Sequence, residues 1–370
     1  MKFRCTQSSL TKALNIVSKA VTTRTTIPIL KGILLEVNES GILKMSASDL
    51  DLTIEATVEV EDSVPGSVVV QSKLFGDIIR KLPSSDIFVE SEYENITIKC
   101  MNSEFSIICS SADEFPNIKT MENEKEALSF DKNILKEMIR KTSFAASADE
   151  SKGVITGLLM EMTCDELITV AIDGYRMAVT REAMINRDEN KVIISAKIMN
   201  EINKIISESS DEEEIKMILS DNNALFIIGN IKIVVRLLDG EFIKYRDILP
   251  KESKIEVTVS RSSLLDSIER ASLLSKEGKN NLIRFAIRDN IITITSKSEE
   301  GNVKEEVLAN KIGEDLDIGF NAKYVLDVLK SIDDEEIRML FNTSITPCVV
   351  KPLEGNKFDY LILPVRISGN

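Results

Sequence analysis

VVVQSKLFGDIIRKL, residues 68–82, runs from an apolar strand into an amphipathic helix, and the same run returns as VIISAKIMNEINKII at 192–206 and IGFNAKYVLDVLKSI at 318–332. Lys73, Lys197 and Lys323 fall on one equivalent position, 124 and 126 residues apart. A second signature keeps the same period. Phe3, Leu10 and Leu14 are spaced by seven and then four residues, and so are Leu128, Leu135 and Ile139, and Val257, Leu264 and Ile268, at offsets of 125 and 129. Two independent elements agreeing on a period near 125 residues define three similar modules in the 370-residue chain.

Between its two helices each module carries strand patterning. Ile54, Ala56, Val58 and Val60 alternate with polar residues, as do Ile96, Ile98 and Cys100, and Ile283, Phe285 and Ile287. Glu39-Ser40-Gly41, Asp239-Gly240 and Asp289-Asn290 are turn signals that suit hairpins, so the sheets are expected to be antiparallel. Ser8, Ser72, Asp131, Ser195, Ser260 and Asn321 stand at the strand-to-helix junctions and offer N-cap oxygens. The expected class is α+β, with modules at 1–120, 125–247 and 248–370.

Composition narrows the chemistry. The chain has no histidine, which excludes Ser-His-Asp and Cys-His nucleophiles, a histidine base and any histidine-containing metal site. Its five cysteines, Cys5, Cys100, Cys109, Cys164 and Cys348, show no C-x-x-C pairing and are expected to be buried free thiols. No apolar run reaches the roughly 18–20 residues of a membrane span and the N-terminus lacks a signal-peptide core, so a cytoplasmic protein is expected. No cofactor is implied.

Net charge is −14, yet it is unevenly spread. The six helical windows, 8–21, 72–82, 131–147, 195–208, 260–275 and 321–332, carry 15 Lys and Arg against 8 Asp and Glu, so the strands and loops hold all of the acidic excess. Solvation of an exposed face accounts for any single helix lysine. Recurrence at Lys73, Lys197 and Lys323 points instead to one shared polyanion, and nucleic acid is the natural candidate. With 5 Tyr and no Trp, base stacking on a single strand is poorly supplied, so duplex backbone without sequence readout fits better. The candidate DNA contacts are Lys12, Arg24, Lys73, Arg80, Lys136, Arg140, Lys197, Lys204 and Lys323.

MKFRCTQSSL at the start, RTTIPIL from Arg24, GILLEV from Gly32, SDLDL from Ser48, Phe115-Pro116-Asn117, DGYRMA from Asp173, NAKYVLDVL from Asn321 and LPVRI from Leu363 occur in an order that resembles the bacterial DNA polymerase III beta subunits, the replicative sliding clamps. That resemblance covers the whole chain. It implies a head-to-tail homodimer closing into a ring of six modules, with twelve helices around double-stranded DNA and no catalytic activity. Twelve helices about 9–10 Å apart enclose a hole of roughly 25–30 Å, wide enough for a duplex of about 20 Å and a layer of water. It further implies a clamp loader, the replicative polymerase and other repair and replication proteins as partners.

The resemblance also implies a groove for a partner peptide between the second and third modules. Carried over position by position, it is lined by Lys152, Ile155, Ile172, Gly174, Tyr175, Arg176, Met177, Ile243, Ile248, Asn321, Tyr324, Ile345, Pro347, Leu363, Pro364, Val365 and Arg366. Tyr175 stands where His is frequent in the family, Ile243 where Pro is usual and Lys152 where Arg occurs. Ring closure is implied for Phe105 and Ile107 at one end of the protomer and for Leu273 and Leu274 at the other.

Two other functions compete with a clamp: a DNA-free scaffold that only displays a peptide groove, and a carboxylate enzyme built on Asp49, Asp51 or the acidic run 211–214. That run is most simply a solvated loop. One acid and one base at Asp173 and Arg176, without metal ligands or a phosphate loop, assemble no reaction class.

Overall fold

The computed structural model describes residues 1–22, 25–116, 127–185, 189–209, 214–276 and 281–367. The first repeat runs β1 (Lys2–Thr6), α1 (Gln7–Val17), β2 (Gly32–Val37), β3 (Ile42–Ser48), β4 (Leu52–Glu59), β5 (Glu61–Val64), β6 (Gly66–Gln71), α2 (Ser72–Lys81), β7 (Asp86–Glu92), β8 (Asn95–Cys100) and β9 (Ser103–Ser111). The second runs β10 (Leu128–Asp131), α3 (Lys132–Ser143), β11 (Gly157–Met162), β12 (Glu166–Ile172), β13 (Arg176–Ala183), β14 (Asn190–Ser195), α4 (Ala196–Glu208), β15 (Glu214–Leu219), β16 (Asn223–Ile228) and β17 (Ile231–Arg236). The third runs β18 (Ile255–Ser260), α5 (Arg261–Ser275), β19 (Leu282–Arg288), β20 (Ile291–Lys297), β21 (Asn302–Ile312), β22 (Leu316–Asn321), α6 (Ala322–Ser331), β23 (Glu336–Phe341), β24 (Cys348–Pro352) and β25 (Phe358–Ile362).

Each repeat builds two antiparallel four-strand sets, β1-β7-β8-β9 and β6-β2-β3-β4 in the first, with counterparts in the other two. The second repeat divides its sets. Its β10, β15, β16 and β17 extend the sheet of the first repeat through β17–β4 pairing, whereas β11 to β14 join the third repeat through β13–β25 pairing. The chain therefore forms two compact units, Met1–Asn133 with Glu201–Leu237, and Ile134–Asn200 with Leu238–Asn370.

The helices follow the spacing that predicted them. Leu10, Leu14, Leu135, Ile139, Leu264 and Ile268 are fully buried, each pair one turn apart on the helix face that covers the sheet. Leu128 is only half-buried where Phe3 and Val257 are fully buried, and the buried residue of that strand is Phe130, two positions on. Asp131, Ser260 and Asn321 cap as expected, accepting the backbone N–H of Asn133, Ser263 and Lys323. Two caps differ. Thr6, not Ser8, accepts from Ser9 at the start of α1, because the helix begins at Gln7. Ser72 is the first residue of α2, whose N-cap, Gln71, makes no side-chain capping bond.

Glu39-Ser40-Gly41 and Asp289-Asn290 turn the β2–β3 and β19–β20 hairpins, with Gly41 at φ +72° and Asp289 at φ +51°. Asp239-Gly240 makes no hairpin and lies in the connection from β17 to β18. Four of the free cysteines are buried, but Cys164, in the β11–β12 turn, is exposed. No helix among the described residues is long and apolar enough to cross a membrane, which says nothing of a β-barrel.

Candidate functional site

Asp173 to Arg176 turns the chain from β12 into β13. Asp173 Oδ1 accepts the backbone N–H of Tyr175 at 2.8 Å and of Arg176 at 3.0 Å. Gly174 sits at φ +94° with open space where a Cβ would go, so backbone conformation, not crowding, calls for glycine. The turn pushes Tyr175 outward, 56% exposed, to stack on Tyr324 of α6 with ring centroids 6.0 Å apart. The Tyr175 carbonyl accepts the N–H of Leu363 at 2.8 Å, and Val365 N–H donates to Gly319 O at 2.8 Å, which pins the C-terminal segment beside the turn.

Arg176 is a buried strut, not a reactive group. Its side chain donates to Asp173 Oδ2 at 3.0 Å, Asp327 Oδ2 at 2.5 Å and the Phe144 carbonyl at 2.7 Å. Its guanidinium lies 4.7 Å from the Tyr324 ring centroid and 5.3 Å from that of Phe144. With its charge satisfied on every side, Arg176 fixes α6 against the turn and holds Tyr324 in place.

Beneath the turn lies one apolar cluster. Leu159, Ile168, Val170, Ile172, Met177, Val179, Ile193, Phe242, Tyr245, Val349 and Leu361 are buried, with Val154, Ile155, Leu238, Ile248, Leu249, Leu340 and Leu363 half-buried against them. The segment carrying Ile243 and Ile248 is anchored through Glu161, which accepts from Tyr245 Oη at 2.7 Å and from Arg246 Nη2 at 2.7 Å, and pairs with Lys191 at 3.2 Å. Burial works to raise the Glu161 carboxyl, but these bonds hold it below its ordinary value; burial and Glu161 together push Tyr245 upward.

The structure thus brings Ile155, Ile172, Met177, Ile248 and Leu363 of the expected groove into one cluster, with Tyr175 and Tyr324 stacked beside it. Ile172, Arg176 and Met177 lie below the surface as its floor and support. Pro364 and Val365 are half-buried, while Lys152, Arg366 and Ile243, the last 41% exposed, stand at the surface. Asn321 spends its side-chain oxygen capping α6. Pro347 lines a small neighbouring cleft of about 110 Å³ with Leu249, Leu340 and Val349. Ile345, 75% exposed, stands at the surface. Sequence reasoning missed Asp327, Phe144, Glu161 and Phe242; a buried Arg needs acids from elsewhere in the chain, and that was the available signal.

The basic residues divide into two groups. Arg80 is paired with Asp77, Arg140 with Glu137 and Asp333, and Lys204 with Glu201. Lys12, Lys73, Lys136, Lys197 and Lys323 make no ion pair among the described residues, and all but half-buried Lys136 are exposed. Lys73, Lys197 and Lys323 are each the second residue of their helix. A cation there opposes the helix dipole, so helix stability does not account for its recurrence. Arg24 lies outside the described residues, as do Asn117 and residues 211–213 of the acidic run.

Family models for the N-terminal, central and C-terminal domains of the DNA polymerase III beta subunit match residues 1–119, 129–244 and 246–366. The chain belongs to the DNA polymerase III beta subunit family. It is 34% identical to the beta sliding clamp of Bacillus subtilis, over 99% of this chain and 100% of that one. Among solved structures it is similar to a putative DNA polymerase III beta subunit from Eubacterium rectale, at TM-score 0.94 and 36% identity over 99% of this chain and 100% of that one. The sliding clamp of Bacillus subtilis gives TM-score 0.94 at 33% identity, covering 99% of each chain. The three-module architecture is that of the family.

Within that architecture two strands change partner midway. β9 pairs with β8 over Ser103–Ile108 and with β6 only over Cys109–Ser111. Among the described residues its first part therefore has a bare edge, where Phe105 is 39% exposed, Ile107 half-buried and Ile108 77% exposed. In the other unit β21 pairs with β20 over Asn302–Leu308 and with β18 over Ala309–Ile312, leaving a second bare edge that ends at Leu308, 81% exposed. On α5 of that unit Leu273 is 66% exposed and Leu274 half-buried.

Proposed function

We propose that the chain is a sliding clamp of DNA replication, two copies closing head to tail around duplex DNA and tethering the polymerase and other proteins through the groove at Tyr175. The observation that supports the ring best is a seam used twice within the chain. β4 pairs with β17, and its counterpart β13 pairs with β25. By the same repeat, the third such pair is β21 with β9, and both of these strands carry a bare edge among the described residues. One chain cannot supply both sides of a head-to-tail seam and remain open to DNA, so the partner is a second copy. Bare apolar edges are otherwise an aggregation hazard that a soluble chain must cover.

In this ring the helix-start lysines at Lys73, Lys197 and Lys323, with Lys12 and Lys136, face the phosphate backbone. Arg80, Arg140 and Lys204, already held by acids, contribute less, and Arg24 adds a guanidinium. A closed ring stays on DNA by topology, so its contacts can be weak and sequence-blind while acidic strands and loops repel DNA elsewhere. The clamp has no reaction of its own, a separate loader opens it, and it works in the cytoplasm. Modules at 1–120, 125–247 and 248–370 are its building units.

Gel-filtration retention on nicked circular DNA, loaded with a bacterial clamp loader and ATP, tests encirclement. The protein is expected to co-elute with the circle and to be lost when the circle is cut. Equal retention on both forms would mean direct affinity and would overturn the ring. The Leu273→Ala/Leu274→Ala variant is expected to run as a monomer; an unchanged solution mass would sink that interface.

A further inference from the structure

The β4–β17 seam repeats the backbone of the β13–β25 groove almost bond for bond. Asp49 Oδ1 accepts the N–H of Asp51 at 3.1 Å and of Leu52 at 2.7 Å, as Asp173 does for Tyr175 and Arg176. Leu50 takes φ +81° where Gly174 takes φ +94°. Arg236 N–H donates to Asp51 O at 2.8 Å, as Leu363 N–H donates to Tyr175 O. The surrounding cluster also recurs: Leu34, Val69 and Phe115 with Ile29 stand for Leu159, Ile193 and Phe242 with Val154.

The floor does not recur. Strand register fixes the equivalence, since Ser48 opposes Thr53 and Ser46 opposes Glu55 where Ile172 opposes Met177 and Val170 opposes Val179. Three of these floor positions, Val170, Met177 and Val179, are fully buried apolar residues in the groove. In the first seam Ser46 is fully buried and Glu55 is 9% exposed, and Ser46 Oγ and Glu55 Oε1 are buried atoms without a hydrogen-bond partner among the described residues. Arg236, 63% exposed at its side chain, replaces Leu363 at the rim.

We infer that the β4–β17 seam is a silenced copy of the peptide groove, and that Ser46, Thr53, Glu55 and Arg236 are the residues that limit each protomer to one apolar peptide. An apolar anchor laid on this floor would strip water from the Arg236 guanidinium and the half-buried Thr53 hydroxyl, and would lie against the buried, unpartnered Ser46 and Glu55 oxygens without giving them a hydrogen bond. The same anchor on Val170, Met177, Val179 and Leu363 meets only carbon and sulfur. Specificity between two seams of one backbone is set by what the wrong seam cannot satisfy. The inference rests on the groove at Tyr175 being the peptide site.

Isothermal titration of the full-length protein with a hexapeptide ending in Leu-Phe tests it. The wild type is expected to take one peptide per protomer. The Ser46→Val/Thr53→Met/Glu55→Val/Arg236→Leu variant, checked for folding by its thermal melt, is expected to take two. Should that variant not fold, Thr53→Met/Arg236→Leu alters only half-buried and exposed positions and is expected to show a second, weaker binding event. Leu363→Arg, which copies Arg236 into the groove, is expected to weaken the single site at least tenfold. One peptide per protomer in both the wild type and the folded seam variants overturns the inference alone. A wild type that takes two overturns it as well, and one that takes none sinks the groove assignment and the inference with it.

Discussion

The β4–β17 and β13–β25 seams share one strand pairing and differ in what closes them on their helix side. At β13–β25 an ion cluster spans the joint: Arg140 and Lys141 both reach Asp333, Arg181 and Lys351 both reach Asp359, and Tyr360 Oη donates to the Lys141 carbonyl. At β4–β17 the residues equivalent to Arg140 and Arg181 are Asn15 and Thr57, and the joint keeps an open cleft of about 930 Å³ lined by α1, the end of β4 and the β16–β17 turn. Thr57 and Asn230 bond across it: Thr57 N–H donates to the Asn230 carbonyl at 3.3 Å, and the Asn230 side-chain amide Nδ2 donates to Thr57 O at 2.5 Å. The two seams therefore keep the backbone pairing that holds each sheet together while their side chains diverge, as the proposed division into one peptide groove and one silent seam requires.

Breaking the specialised seam should have the largest effect. Arg176→Ala removes a cation that three acceptors and two rings surround and leaves Asp173 and Asp327 uncompensated, at an expected cost of ~3–5 kcal/mol. Urea denaturation would show it as a lower midpoint; a loss under 1 kcal/mol would mean that Arg176 is not the strut described. The equivalent residue at the other seam is Leu52, which contributes as plain core.

A smaller pair of changes compares the two turns directly. Gly174→Ala meets no atom within 4 Å but must adopt φ +94°, so it is expected to cost about 1 kcal/mol. Leu50→Gly relieves a bulky residue from φ +81° against the entropy that glycine loses, for an expected gain of about 0.5 kcal/mol. Opposite signs in thermal melts would sharpen the equivalence of the turns, and a shared sign would break it.

The repeat, the six helices and the strand-to-helix junctions were legible because each is local: a seven-then-four spacing buries Leu10 and Leu14 whatever the rest of the chain does. The proposed peptide groove was legible only through family resemblance, because it joins β13, α6 and the C-terminal segment across nearly 190 residues of chain. Met177 illustrates the limit. Apolar side chains on a floor and on a rim look alike in sequence, and only the fold separates Met177, fully buried on β13, from Ile243, exposed in the connection from β17 to β18. The Arg80 and Arg140 ion pairs were within reach at i,i+3 spacing, yet counting charge over a helix hides which cations are already matched. Ser46 and Glu55 gave no signal at all until β3 and β4 were set against β12 and β13.

Acid should distinguish the seams by the smallest margin. Hydrogen bonds from Arg140 hold the Glu137 carboxyl below its ordinary value, burial opposing them. Burial works to raise Asp333, but Lys141 and Arg140 leave it lowered too. A carboxyl depressed in the folded state stabilises it at pH above the unfolded value, roughly 4, and that contribution disappears as pH falls through the folded value. Both side chains are more than a third exposed, so solvent screening leaves only a few tenths of a kcal/mol. Asp333→Asn is expected to melt slightly below the parent at pH 7, to begin converging with it as pH drops below about 4, and to meet it below the lowered folded value, where the parent's carboxyl is itself protonated. The first seam has Asn15 where this cluster has Arg140, and Asn15 Oδ1 accepts from Arg80 Nη1 at 3.3 Å, so a neutral amide stands there in place of a titrating pair. A gap between Asp333→Asn and its parent that stays constant from pH 7 to pH 3 would show that the cluster closes the second seam by shape and not by charge.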